Sequence, residues 1–303
     1  MTNRRRFLMI AAAALATGGA TRAGAPFVWH GAALGARATI RLTHPDAAAI
    51  TERAAAEIDR LENVFSLYRA ASALSRLNAA GSLDEPPFEL LECLSLCSTV
   101  YAATNGRFDP TVQRLWQAHA TAAVENRPLT ATERSAALAL TGWHGVTLSE
   151  SAIALRPGMA LTLNGIAQGY IADRIAALLT AEGLTDILID TGELRAIGQQ
   201  GDGTPWPVTL SPSGRKIGLA ARALATSAPL GTVLDAAGKV GHIIDPASGM
   251  TAPATWQAIS VSAPSAALAD ALSTAACLMP SRTAIDAALN RFPETRLEAA
   301  LPV

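Results

Sequence analysis

An α+β fold, with mixed or antiparallel sheets and flanking helices, is what the order of periodicities predicts for this 303-residue chain. Helical spacing dominates the first half, and short β-type runs bounded by turn residues dominate the second. Beyond the N-terminus no internal repeat or low-complexity linker divides the sequence, so residues 26–303 read as one domain.

Phe27 to Leu42 alternates loosely and reads as a strand pair around Gly31 and Gly35. Asp46 to Phe65 places Ala, Leu and Ile at helical spacing with charges opposite. Pro86-Pro87 punctuates the chain, and Phe88 to Thr104 predicts a second helix that stops at Asn105-Gly106. Residues 119–150 read as polar and helical, covering surface, until strand signals return at Val146–Leu148 and Ile153–Leu155. Met159-Ala160-Leu161 is a strand-like run, and Ile171 to Leu179 a helix. Asp186 to Asp190 is a buried-type strand broken by Thr191-Gly192. Trp206–Leu210 and Lys216–Ala220 predict antiparallel strands, and His242 to Asp245 a strand ending in a turn. Gln257–Ala263 predicts a strand and Ser265–Cys277 a helix.

The charge balance excludes some functions. Half the residues are apolar, 16% are charged and the formal net charge is −1. No basic stripe appears outside the N-terminus, which argues against a nucleic-acid surface. That N-terminus reads as an export signal over residues 1–25: Arg4-Arg5-Arg6-Phe7-Leu8, an apolar run from Met9 to Ala16, then Ala23-Gly24-Ala25. Its Arg-Arg-x-Phe-Leu pattern resembles a twin-arginine signal, which a translocase reads as an address. The expected location is therefore the periplasm. Cys93, Cys97 and Cys277 make an odd count without CxxC, which fits buried apolar thiols better than a disulfide framework.

The stretch Thr162 to Asp173 places Gly165 and Gly169 at the entry to a helix, where backbone can approach a ligand and free N–H groups can meet negative charge. A tight turn is the plainer reading of the same glycines. Asp270 and Thr274 stand four apart in an otherwise Ala- and Leu-rich helix, so both oxygens point the same way and suit a hard cation such as Mg²⁺. A helix-surface pair has the same spacing. His242 is a candidate base because imidazole titrates near neutral pH, or it is an ordinary polar residue. Asp109 before Pro110 is a turn former or a ligand contact. Tyr68 and Phe108 are core residues or stacking platforms.

The order of seven segments goes further than any one of them. Phe65–Tyr68 with Ser72 to Asn78, Gly106–Val112, Leu163–Asp173, Asp190–Leu194, Ala225–Ser227, His242–Gly249 and Ala269–Ala275 together resemble the ApbE family, the FAD:protein FMN transferases, from about Leu34 to about Leu278. The resemblance implies an ApbE-like, T-fold-like architecture and an exported Mg²⁺-dependent enzyme. Such an enzyme cleaves FAD, places FMN on a Thr or Ser hydroxyl of an exported or membrane-anchored acceptor protein, and releases AMP. It implies a metal held by Asp270, Thr274 and the Gly165 carbonyl. It also implies FAD contacts at Leu34, Tyr68, Arg107, Phe108, Asp109, Thr162, Gln168 and Ile244, and His242 as the base. The chain departs from the family pattern at Thr162, where an acidic residue is usual, at Gln168, where Lys is usual, and at Ala228-Pro229, where Gly usually follows. These departures bear on FAD affinity. They leave open a flavin-binding accessory protein of the same fold, and a hydrolase that passes FMN to water.

Overall fold

The computed structural model describes residues 27–303. The expected export signal lies outside the described residues. In chain order the strands and helices are β1 (Phe27–Ala33), β2 (Ala36–Leu42), α1 (Ala47–Phe65), α2 (Ala73–Ala80), β3 (Ser82–Asp84), α3 (Phe88–Ala103), α4 (Gln113–Val124) and α5 (Ala131–Leu138). There follow β4 (Val146–Leu148), β5 (Ala152–Leu155), α6 (Ala167–Ala181), β6 (Ile187–Asp190), β7 (Leu194–Ile197), β8 (Trp206–Leu210), β9 (Arg215–Leu219) and β10 (Ala223–Ser227). The chain ends with β11 (Trp256–Ala263), α7 (Ala266–Ala276), α8 (Arg282–Leu289) and β12 (Arg296–Pro302).

A seven-stranded sheet in the order β1-β2-β6-β7-β10-β11-β12 carries the molecule, and every neighbouring pair in it is antiparallel. Side chains alternate across it as the pleat requires. Ile187, Ile189, Ala223, Ala225, Ile259 and Val261 join the main core with α1, α6 and α7. Leu188, Leu194, Ala196 and Leu224 face the other way and are covered by Val208, Leu210 and Leu219 of the β8–β9 hairpin. On α6, Ile171, Ile175 and Leu179 are fully buried at i, i+4, i+8. Each such burial stabilises by roughly 1.5–3 kcal/mol. Phe65 and Tyr170 meet edge to face at 5.2 Å and join the end of α1 to the start of α6. The sheet strands at Ala223 and Ala225 and the alanines of α7 are small, so helix and sheet approach closely.

Four local expectations are corrected. The first hairpin turns at Leu34-Gly35, both with positive φ, while Gly31 lies within β1. The Met159–Leu161 run is buried but irregular: the Asn78 amide accepts from Leu161 N–H at 2.7 Å and donates to its carbonyl at 2.8 Å, replacing a partner strand. Residues 119–150 are not a continuous surface helix. Helix α4 starts earlier, His119, Ala122 and Ala137 are buried, and α5 ends at Leu138. His242 to Asp245 is a loop closed by an isolated bridge between Ile244 and Thr251. All three cysteines are free and buried, as expected. Among the described residues no helix is long and apolar enough to cross a membrane.

Candidate active site

Two glycines let the entry to α6 reach α7. A Cβ at Gly169 would lie 2.3 Å from the Ala266 carbonyl oxygen, so only glycine allows the two backbones to meet there. A Cβ at Gly165 would lie 3.0 Å from the Thr274 hydroxyl, which puts that segment directly against Thr274 of α7. Asp270, 3% exposed, sits one turn before Thr274 on the same face. Among the described residues its carboxylate receives a single hydrogen bond, a long one of 3.4 Å from the Gly169 N–H.

Burial dominates the electrostatics. It pushes the Asp270 carboxyl up to about 8. It also holds the Glu193 carboxyl well above its ordinary range, with the nearby charges of Asp270 and Asp190 adding to the shift. A buried carboxylate short of donors, a neighbouring hydroxyl and a close backbone segment are an all-oxygen donor set that fits a hard divalent cation. The Thr274 hydroxyl is half-buried and lies 3.3 Å from Ser227 Oγ, which in turn lies 2.7 Å from Ser273 Oγ.

The residues expected to meet FAD fall into linked groups. Thr162 donates its N–H to the Pro110 carbonyl at 2.8 Å, which brings it beside Asp109. Asp109 is buried and caps a short 3₁₀ turn, accepting from the Thr111 N–H at 2.8 Å and the Thr111 hydroxyl at 2.6 Å. Burial raises its carboxyl above the usual value. Phe108 belongs to the main core, and Ile244 packs with Leu115 and Ala137 in a smaller one. Arg107 lies 3.1 Å from Asp245, next to Ile244. Gln168 lies against Gly192, where a Cβ would come within 2.8 Å of its amide nitrogen. Leu34 donates its N–H to Glu62 at 2.8 Å, and the same Glu62 pairs with Arg69 beside Tyr68. Tyr68 is 72% exposed, which leaves it open to stacking.

His242 is half-buried, and its Nδ1 lies 3.0 Å from the Thr232 carbonyl oxygen. A carbonyl only accepts, so Nδ1 carries the proton and Nε2 keeps its lone pair. Burial lowers the imidazole pKa below its ordinary value, outweighing that hydrogen bond. The ring is therefore neutral at physiological pH and suited to accept a proton at Nε2.

Sequence reasoning about the site missed Ser227, Glu193, Asp173 and Asp245. Ser227 and Glu193 lie in the quoted Ala-Thr-Ser and Asp-Thr-Gly-Glu segments, which held the available signal. Asp173 and Asp245 also lie in quoted segments, Leu163–Asp173 and His242–Gly249, but nothing in those segments marks their distant partners.

The architecture is that of the flavin transferases whose structures are solved. The apo form of Pseudomonas stutzeri flavinyl transferase ApbE matches with a TM-score of 0.78 at 24% identity, over 91% of this chain and 95% of that one. The ApbE protein of Thermotoga maritima matches with a TM-score of 0.78 at 25% identity, over 88% and 91%. Among curated relatives, the FAD:protein FMN transferase of Escherichia coli K12 is 26% identical over 249 residues, 75% of this chain and 70% of that protein. The Treponema pallidum protein of the same name is 29% identical over 272 residues, 78% and 72% respectively. The ApbE family model matches residues 34–299, and the chain belongs to the ApbE family.

Proposed function

We propose that this chain is an FAD:protein FMN transferase that acts in the periplasm after export through the twin-arginine translocase. It attaches FMN to a Thr or Ser hydroxyl of an exported or membrane-anchored acceptor protein. The observation that carries this reading is the meeting of Gly165 with Thr274 beside the donor-poor, buried Asp270, in a chain of this family. Asp270, Thr274 and the Gly165 carbonyl would hold Mg²⁺, which when bound would neutralise charge on the pyrophosphate.

The chain's own residues supply positioning and proton transfer. Nε2 of His242 takes the proton of the acceptor hydroxyl. A bond forms between that oxygen and the FMN phosphorus, and the phosphorus–oxygen bond to the AMP half breaks. AMP leaves with the electron pair. Arg107, Phe108, Asp109, Thr162, Gln168 and Ile244 form the flavin side, with Leu34 and the exposed Tyr68 at its edge. Thr162 and Gln168 are neutral hydrogen-bonding groups here, so this site relies less on charge to hold FAD.

The test is incubation with FAD, Mg²⁺ and a Thr-bearing acceptor, read by covalent flavin fluorescence on the acceptor and by AMP. Both signals together support transfer. AMP without acceptor dependence would make the protein a hydrolase, and FAD binding with neither signal would make it an accessory flavin protein.

A further inference from the structure

We infer that Asp173 is a positioning residue for the metal site: it clamps the N-terminus of α7 onto α6 and so sets where Asp270 and Thr274 stand. The inference rests on the proposed metal role of those two residues. The hydrogen bonds and ion pair of Asp173 go to Ser265, Ala266, Ala267 and Arg195.

The first turn of a helix leaves its leading N–H groups without intrahelical partners. In α7 the N-cap Ser265 side chain accepts from Leu268 N–H at 3.2 Å. That satisfies one donor and leaves Ala266 and Ala267. Both are taken by a carboxylate from another helix: Asp173 Oδ1 accepts from Ala266 N–H at 2.9 Å, and Oδ2 from Ala267 N–H at 2.9 Å. The Ser265 hydroxyl donates to the same Oδ2 at 2.7 Å, and Arg195 of β7 closes on Oδ1 at 3.3 Å. Ser265 and Asp173 together make one composite cap, with a negative charge at the positive end of the helix.

The geometry couples this cap to the site. Gly169 and Asp173 are one turn apart on α6 and face the same way. Gly169 holds Ala266 at backbone contact and reaches Asp270, and Asp173 holds Ala266 and Ala267. Gly165, which precedes α6 on the same segment, abuts Thr274. A slip of α7 by one residue moves it about 1.5 Å along its axis, while metal–ligand distances tolerate about 0.2 Å. The clamp fixes the register that lets oxygens from two segments meet on one ion.

The experiment measures Mn²⁺ binding, by its electron spin resonance signal, to the full mature chain and to Asp173→Asn, Asp173→Ala and Thr130→Ala. Thr130 caps α5 in its own capping box, so its loss removes a comparable cap elsewhere. Outer partners of metal ligands commonly carry about 10- to 100-fold in affinity. Asp173→Ala is expected to weaken Mn²⁺ at least tenfold and Asp173→Asn by less. Thr130→Ala is expected to leave it unchanged, and transfer by the Asp173 variants is expected to recover at saturating Mg²⁺. Hydrogen exchange of the wild-type protein adds a measurement that needs no variant: Mn²⁺ should slow exchange at the Ala266 and Ala267 amides. Wild-type Mn²⁺ affinity in Asp173→Ala, equal weakening in Thr130→Ala, or unchanged exchange at those amides would each overturn the inference. Unchanged Mn²⁺ binding in Asp270→Ala would instead overturn the metal assignment beneath it.

Discussion

The Arg107 guanidinium lies 3.1 Å from the Asp245 carboxylate, and that ion pair joins the loop after α3 to the loop that carries His242. The Asp245 carboxylate also accepts from Ala247 N–H at 3.2 Å and from the Ser248 hydroxyl at 2.7 Å. One side chain thus holds its own turn and reaches across to Arg107, in the loop proposed to meet FAD. Arg107 is 39% exposed, and a pair open to water at one end contributes only about 1 kcal/mol to stability. Asp245→Ala, which removes the pair and both turn hydrogen bonds, should therefore cost about 2–3 kcal/mol in thermal unfolding while slowing flavin transfer roughly tenfold, because the proposed base and the proposed flavin loop lose their tie. A melt and a flavinylation time course measure the two effects separately. An unchanged transfer rate would remove the pair from the site.

His242 gives a pH dependence. The carbonyl of Thr232 fixes Nδ1 as donor, and burial disfavours the imidazolium. As the proposed base, His242 is active when neutral, so at saturating Mg²⁺ and FAD the rate should fall as pH drops through a value below the ordinary 6.5. His242→Ala should lose that acid limb and slow transfer by about 10²- to 10⁴-fold, with FAD binding spared. A midpoint above 6.5, or a limb that survives His242→Ala, would assign it to another group.

Asp270 and Glu193 predict that the metal-free protein loses stability as pH rises. Burial raises both carboxyls, Asp270 to about 8. Between about pH 4 and pH 8 the unfolded chain releases protons that the folded state keeps. The contribution is complete at acid pH and is lost as pH rises through the folded values. Unfolding in EDTA across this range should show it. Asp270→Asn should flatten the slope without abolishing it, since Glu193 remains. In the wild type, Mg²⁺ at pH 8 should restore stability, and in Asp270→Asn it should not.

How much of this was legible depends on distance along the chain. The Asp270–Thr274 pair, the β8–β9 hairpin and the Ser265 cap are local, and spacing revealed the pair, the strands and the helix. Asp173 and Ala266 are 93 residues apart, and Arg107 and Asp245 are 138 apart. No period or motif links such partners. The Met159–Leu161 run misled because its apolar burial is real, while its backbone is satisfied by the Asn78 side chain, which no strand pattern encodes. His242 misled similarly, with Thr232 in place of a ladder partner. The arrangement of Gly165 against Thr274 was expected only through the family resemblance, because two glycines before a helix suit any tight turn.

Gln168 carries the last prediction. Its side chain lies against Gly192, in the turn between Asp190 and Glu193, and its backbone carbonyl accepts from the Thr191 hydroxyl at 2.9 Å. Burial raises the carboxyls of both Asp190 and Glu193. A lysine here, as the family resemblance implies is usual, would add a charge-assisted donor where glutamine offers a neutral one. The gain for an anionic ligand is about 1 kcal/mol, or roughly fivefold in affinity. The same charge would favour ionised Asp190 and Glu193 and so make stability fall less steeply with pH. Gln168→Lys should therefore tighten FAD binding in a fluorescence titration and also flatten the unfolding profile measured in EDTA. A flatter profile with unchanged FAD affinity would place residue 168 against the acidic turn and away from the flavin phosphates. Tighter FAD binding with an unchanged profile would place it against the phosphates alone.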